Sequence, residues 1–244
     1  MAGIRLPIPI NADLGEAVGN DAQLMPLLTS CNIACGGHAG DLVTMRATAL
    51  LAKQQSVGVG AHPSFPDREN FGRVVLDMTA KQLTSSIVNQ IMLLSQVCDE
   101  LAIEMTHIKA HGALYNLAAN DRSTAMTLLE AIDKLPKKLP LYTLPNSLLA
   151  EIAQNEFIVI HEAFLDRKYL SDGSLMPRSK SGSVLTNKAD IWAQCDNLYF
   201  KNRVEVAPDE FIPLKAQTFC IHGDTPDIYN SLLYVGDQLK KATR

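Results

Sequence analysis

The sequence predicts an α/β fold: an irregular, closed barrel of seven mostly parallel strands with helices packed outside it. Three observations predict it. Seven short apolar runs lie along the chain, amphipathic stretches of helical period separate most of them, and the 244 residues come close to the ~250 typical of a (β/α) barrel. The alternation runs without a linker, which argues for one barrel domain over residues 1–244 and for a mostly parallel sheet.

The strands are read at residues 7–13, 30–35, 57–61, 105–110, 139–144, 157–162 and 217–221. Several carry Ile, Val and Leu on both faces, as in FIVI, which suits strands covered on both sides. Helical periodicity spans residues 42–55 and 80–101, the latter with Thr79 as N-cap. Further helices are expected near 121–135, 146–154, 187–202 and 225–243. Residues 166–186 have little periodicity and read as a long loop, a feature often tied to function in compact domains.

Composition excludes several classes. Hydrophobic residues make up 47% of the chain, enough for a sizeable core. The net charge of -4, with no Lys/Arg block, disfavours nucleic acid and anionic membrane as partners. No apolar run reaches the ~20 residues of a membrane span. The opening MAGIRLPIPINADLGE lacks the apolar core of a secretory signal, so a cytoplasmic location is expected. The five cysteines form no dense framework. Cys31 and Cys35 are spaced C-x3-C with no second pair, and read as small buried packing residues in a reducing compartment.

Candidate functional residues gather where strands end. All six histidines fall at or near expected strand ends, the positions that build active sites in parallel α/β folds. In INADLGE, alternation puts Asn11 and Asp13 on one face, Gly15 permits a turn and Glu16 begins the loop. Asp is unfavourable in a strand, so Asp13 reads as a buried functional carboxylate or a cap for the next turn. In CNIACGGHAGD, Asn32 lies in the strand, and Gly36, Gly37 and Gly40 make a loop holding His38 and Asp41. Such glycines admit an anion to backbone N–H groups or simply form a turn, with Asp41 as an N-cap. GAHPSFPDRENFGR supplies His62 and Arg73, the latter suited to a two-pronged grip on carboxylate or phosphate, or to plain solvation.

The densest cluster is THIKAHGALYN. His107, Lys109 and His111 share a strand face, and a basic triplet pointing into a barrel is costly without a purpose. H-x3-H suggests a metal. Yet four residues of strand separate the two side chains by roughly 13 Å, against the ~2 Å bonds of a zinc ion. The pair meets one ion only if the chain bends between them, and Lys109 beside an anion is the more economical role. HEAFLDRKYLSDGSLMPRS adds His161, Glu162, Asp166, Arg167 and Arg178, with the adjacent His161 and Glu162 on opposite faces. CIHGDTP places His222 and Asp224 after the last strand, or forms a turn in which Asp224 or Thr225 caps the final helix. No G-x-x-x-x-G-K-[ST] loop, G-x-G-x-x-G turn or G-x-S-x-G elbow is present.

Taken in order, INADLGE, SCNIACGGHAGD, GAHPSFPDRENFGR, HIKAHGALYN, EAFLDRKYLSDGSLMPRS and CIHGDTP resemble the LamB/YcsF family. The resemblance runs from about Ile8 to the C-terminal helix. Two positions depart from the family pattern: Ala110, where a proline is expected, and Gly37, where an aromatic is expected. The resemblance implies a distorted (β/α) barrel similar to polysaccharide deacetylases. It also implies the role of the family's characterised members, the A subunit of bacterial 5-oxoprolinase. That enzyme opens 5-oxo-L-proline to L-glutamate with ATP hydrolysis, together with partner subunits B and C.

That chemistry suggests roles. Asp13 would act as general base on water. Lys109 and His111 would stabilise developing negative charge or phosphate, and His38 or His62 would protonate the leaving ring nitrogen. Arg73 or Arg178 would hold the substrate carboxylate, with Asn11, Glu16, Asn32, His161, His222 and Asp224 completing the substrate site. ATP is expected on the partner subunits, the loop from Gly36 to Gly40 being the alternative. Two other readings stand beside this one. The first is a metal-dependent amidohydrolase or deacetylase using Asp13, His107 and His111. The second is a non-catalytic subunit that presents 5-oxoproline to its partners.

Overall fold

Continuous apolar runs form strands that need cover on both sides, and here they obtain it by closing on one another. The computed structural model describes residues 5–243; residues 1–4 and 244, the ends of the expected domain, lie outside the described residues. Strands β1 (Ile10–Leu14), β2 (Ser30–Ala34), β3 (Gly58–His62), β4 (Met105–Lys109), β5 (Leu141–Thr143), β6 (Val159–Phe164) and β9 (Thr218–His222) form a closed barrel in that order, every pair parallel. All seven correspond to the runs read from the sequence.

The expected helices are α2 (Leu42–Gln55), α3 (Ala80–Glu100), α5 (Arg122–Asp133), α6 (Leu148–Ala153), α7 (Lys188–Lys201) and α8 (Ile228–Ala242). Asp41 caps α2 by accepting from Thr44 N at 2.8 Å, and Thr79 with Gln82 forms a reciprocal capping box on α3. The start of α8 differs: Asp227 stands at its N-cap, while Asp224 and Thr225 serve elsewhere. Four short elements add to those expected. These are α1 (Asp21–Leu24), the 3-10 turn Met25–Leu27, α4 (Gly112–Ala118), and a hairpin of β7 (Arg203–Ala207) with β8 (Glu210–Pro213). Each is too short to show a period, and the hairpin packs beside α7 outside the barrel.

The main core lies between the barrel's outer face and the helices. Ile10, Ala12, Cys31 and Ile33 are fully buried, as are Met45 and Ala49 of α2, Ile87, Ile91 and Leu94 of α3, and Leu232, Val235 and Leu239 of α8. Burying each large side chain is worth about 1.5–3 kcal/mol. All five cysteines are free and buried.

The barrel's inner face is polar, and this is what builds the site. Strand register places Asp13 beside Asn32 of β2 and beside His222 of β9. The same face carries Asn11, Thr218, His107, Lys109 and Glu162. Gly60 makes room for one of them: a Cβ there would stand 2.2 Å from His107 Nε2.

Candidate active site

At the carboxyl end of the strands the inner face opens into a cavity of about 730 Å³, walled by strand ends and by the loop through Arg178. Its floor is organised around Lys109. The ammonium donates to Asp13 Oδ1 at 3.0 Å and to Cys220 Sγ at 3.0 Å, and pairs with Glu162 Oε1 at 3.1 Å. Glu162 also accepts from the Tyr115 hydroxyl at 3.0 Å. Burial alone would favour neutral forms. Burial pulls Lys109 down, but the charges of Asp13 and Glu162 and the hydrogen bond to Cys220 outweigh it and hold its pKa well above the usual value. Burial likewise pushes Asp13 up, but His62 and Lys109 outweigh it and hold the carboxyl well below its usual range.

Below this floor lies a layer that positions it. Asn32 Nδ2 donates to Asp13 Oδ1 at 2.7 Å and to Asn11 Oδ1 at 2.8 Å. Asn11 Nδ2 donates to Thr218 Oγ1 at 3.0 Å. Asn32 Oδ1 lies 2.6 Å from His107 Nε2, and the His107 ring stacks on Tyr142. Burial, with Lys109 and His62 nearby, pushes His107 down to about 3, so it stays neutral.

Three more imidazoles and Glu16 form the rim. His62 Nδ1 lies 2.7 Å from the Lys109 carbonyl, and His111 Nε2 lies 3.0 Å from the Phe71 carbonyl. Phe71 turns that carbonyl inward from a left-handed backbone (φ 55°). His111 Nδ1 and His62 Nε2 are 3.0 Å apart. His38 stacks on His111 at a centroid distance of 3.7 Å, and its Nε2 lies 3.0 Å from Glu16 Oε1. Burial, then the Asp13 charge, pushes Glu16 up to about 7. Burial pushes His38 down to about 4 and, with His38 and His62 alongside, holds His111 well below its usual value.

The opposite wall holds an Asp–His couple and an arginine pair. His222 Nδ1 lies 3.0 Å from Asp166 Oδ1, and Asp166 Oδ2 also accepts from His222 N and from the Thr225 hydroxyl. Burial raises Asp166, but the His222 charge and these hydrogen bonds bring it below its usual value. Arg73 and Arg178 each donate to Asp224 Oδ2 at 2.9 Å, so two guanidinium groups converge on one carboxylate. Arg167 stands beside them, pushed down to about 10 by burial and the Arg178 charge.

The structure therefore gathers most of the expected residues and separates the rest. Asp13, Glu16, His62, Arg73, Lys109, His111, Arg178, His222 and Asp224 all border the cavity. His38, expected to act on substrate, sits behind His111 and does not border it. Asn11 and Asn32, expected to bind substrate, lie one layer too deep and position Asp13 instead. His161 is on the wrong face: alternation turns Glu162 and Phe164 inward, and His161 remains outside the cavity lining. The metal set Asp13, His107 and His111 does not assemble, because His107 Nε2 is spent on Asn32 and His111 has bent away toward His62. Four participants carry no role in the sequence reading: Glu162, Asp166, Arg167 and Cys220. The alternation in HEAFLDR and CIH contains the signal for three of them, since inward Glu162 predicts inward Phe164 and Asp166, and inward His222 predicts inward Cys220.

The loop from Gly36 to Gly40 is braced by its own contacts and by Arg68. Gly36 N donates to Ala39 O, Arg68 binds the Gly36 and Gly40 carbonyls, and Gly40 (φ 80°) packs its α-carbon against Ala34. The Gly36 N–H and the carbonyls of Gly36, Ala39 and Gly40 are engaged internally.

A closed parallel barrel with buried ionised groups facing a rim cavity defines the class: a seven-stranded (β/α)-barrel protein with an active-site-like hollow at the carboxyl ends of its strands. The chain belongs to the LamB/YcsF family, whose sequence profile matches residues 8–244. It is 40% identical over 225 residues to the 5-oxoprolinase A subunit of Pyrococcus abyssi (strain GE5 / Orsay), covering 90% of this chain and 88% of that one. Its fold superposes on the crystal structure of the lactam utilization protein from Thermus thermophilus with a TM-score of 0.89 and 34% identity, covering 97% of both chains. A GH113 β-1,4-mannanase shares the fold alone, with a TM-score of 0.53, 11% identity, and coverage of 89% and 88%. No described helix is long and apolar enough to cross a membrane.

Proposed function

We propose that this chain acts as the A subunit of an ATP-dependent 5-oxoprolinase and that its rim cavity is where 5-oxo-L-proline is opened to L-glutamate. The name of the Pyrococcus relative and that of the Thermus protein support the reading. The observation that carries it is the placement on one cavity of an arginine pair already gripping a carboxylate, the Lys109-bound Asp13, and an Asp-backed His222. A lactam bearing a carboxylate needs those three things.

In this scheme Arg73 and Arg178 take the substrate carboxylate in place of, or beside, Asp224. Water adds to the ring carbonyl carbon as Asp13 accepts its proton. Lys109 lies against the floor to offset the negative charge that develops on the carbonyl oxygen. His222, held by Asp166, delivers a proton to the ring nitrogen as the C–N bond breaks. Asp13 and His222 are register partners on adjacent strands, so base and acid stand side by side. His222 thus takes the role that the sequence suggests for His38 or His62. ATP would drive the opening by phosphorylating the ring carbonyl oxygen with release of ADP. Once water has added and the C–N bond has broken, a second water releases phosphate from the resulting acyl phosphate. We assign the phosphoryl transfer to the partner subunits B and C. The test is glutamate release from 5-oxo-L-proline and ATP by purified B and C, with this chain added or omitted. Release that depends on the chain is expected; equal release without it overturns the reading.

A further inference from the structure

We infer that Glu16, His62 and His111 form a binding site for one divalent cation of the zinc type, with His38 as the positioning residue behind Glu16. The first argument is tautomeric. The Lys109 and Phe71 carbonyls can only accept hydrogen bonds, so His62 Nδ1 and His111 Nε2 carry the protons. That leaves His62 Nε2 and His111 Nδ1 facing each other at 3.0 Å, with Asp13 Oδ2 3.3 Å from the same His62 nitrogen, so either a second proton on His62 or a bound cation must lie there. Two aimed lone pairs repel at that distance unless something positive lies against both. Imidazoles whose far nitrogen is fixed on a backbone carbonyl are the usual form of histidine metal ligands.

The second argument is distance. Glu16 Oε1 lies 3.5 Å from His111 Nδ1 and 3.9 Å from His62 Nε2, and the two nitrogens are 3.0 Å apart. A cation with bonds of ~2.0–2.2 Å spans donor pairs up to about twice that length, so all three atoms reach one ion without rearrangement. His38 Nε2, 3.0 Å from Glu16 Oε1, orients the carboxylate, while its Nδ1 is buried with no hydrogen-bond partner.

The third argument is charge. On the floor two buried carboxylates, Asp13 and Glu162, share Lys109, the one ammonium paired with them among the described residues. Among the same residues, every ion-pair partner of Glu16 is a histidine. A bound cation balances that excess. Three protein ligands of two imidazoles and one carboxylate leave a coordination position free, the pattern of catalytic rather than structural zinc. All three ligands border the cavity, so that position faces it. The site departs from the Asp13, His107 and His111 set suggested by the sequence, and it stands independently of the 5-oxoprolinase reading.

The test uses the full chain stripped with chelator, then titrated with Zn²⁺ alone and followed by calorimetry and by thermal unfolding. Co²⁺ serves as a spectroscopic probe. One equivalent of tight binding is expected, with a rise in Tm and a visible d–d band of low-symmetry cobalt. Glu16→Gln should weaken Zn²⁺ binding by about 10–100-fold or more, and His38→Gln, which removes only the outer contact, by about 10–100-fold. Folding of each variant is checked by circular dichroism. Should Glu16→Gln fail to fold, the wild-type stoichiometry and the His38→Gln shift carry the decision. Absence of stoichiometric Zn²⁺ binding by the wild type, or binding unchanged in the folded variants, overturns the inference.

Discussion

Replacing Lys109 with methionine tests the electrostatic centre of the barrel most severely. Methionine keeps the apolar stem of lysine and replaces the ammonium, with its charge and N–H donors, by an uncharged end. In the native protein that charge, 2% exposed, sits 3.0 Å from Asp13 and 3.1 Å from Glu162. Its loss leaves two buried carboxylates facing each other without compensation. Breaking a buried ion pair from one side costs about 3–5 kcal/mol. At ~2–4 °C per kcal/mol for a domain of this size, the Tm should fall by about 6–20 °C. The pH dependence sharpens the test. Asp13 in the wild type has a depressed pKa, so its contribution is present above the unfolded value of ~3.9 and is lost as pH falls through the folded value. In Lys109→Met the orphaned carboxylates bind protons more readily folded than unfolded, so the variant gains stability on acidification. The two stability curves should therefore converge toward low pH. Urea unfolding between pH 4 and 8 reads both, and adding Glu162→Gln to the variant should restore part of the loss. A deficit below about 1 kcal/mol, the range of an exposed pair, or one that is constant with pH, would rule out Lys109 as the charge that compensates the buried carboxylates.

Three further outcomes follow from the same geometry. Gly60→Ala drives a Cβ to within 2.2 Å of His107 Nε2 and should cost about 1–3 kcal/mol by overpacking, read as a lower urea midpoint; an unchanged midpoint rejects the close fit. Asp166 has a lowered pKa, so its hydrogen bonds to His222 and Thr225 add stability above ~3.9 that fades as pH drops; the stability gap between wild type and Asp166→Asn should be widest above pH 5 and narrow toward pH 3, and a gap independent of pH contradicts this. Arg178→Ala should raise the KM for 5-oxo-L-proline by about 10-fold or more with a smaller effect on kcat, the loss of one charged hydrogen bond made in both ground and transition states; an unchanged KM removes Arg178 from the carboxylate grip.

Much of the fold is legible in the sequence because period-2 and period-3.6 signals are strong over long segments. The bounds of α2 are those read from LVTMRATALLAKQQ, and THIKAHG announces an inward basic triplet that the barrel indeed turns inward. Depth is what the sequence hides. Periodicity tells which face a residue takes, not how far along the barrel axis it lies. Asn11, Asn32 and His107 share the inward face with Asp13 and Lys109 but sit a layer below the cavity. His38 is misplaced for another reason: a loop can stack one ring behind another, and the sequence carries no sign of which is in front. Glu162 and Cys220 are hidden beside the more conspicuous His161 and His222. Once the inward parity of a strand is fixed by one contact, such as Lys109 with Glu162, every other side chain on it follows.

In the proposed reaction the Lys109-bound carboxylate of Asp13 performs the chemistry on a lactam held at the barrel rim. Asp13→Asn isolates that step, because the amide keeps the side chain's shape and can still accept from Lys109. Glutamate release by the variant assembled with subunits B and C, at saturating 5-oxo-L-proline and ATP, should fall by about 10²–10⁴-fold while assembly and 5-oxo-L-proline binding persist. Release at the wild-type rate would contradict the role of Asp13 and leave this chain as a binding subunit only.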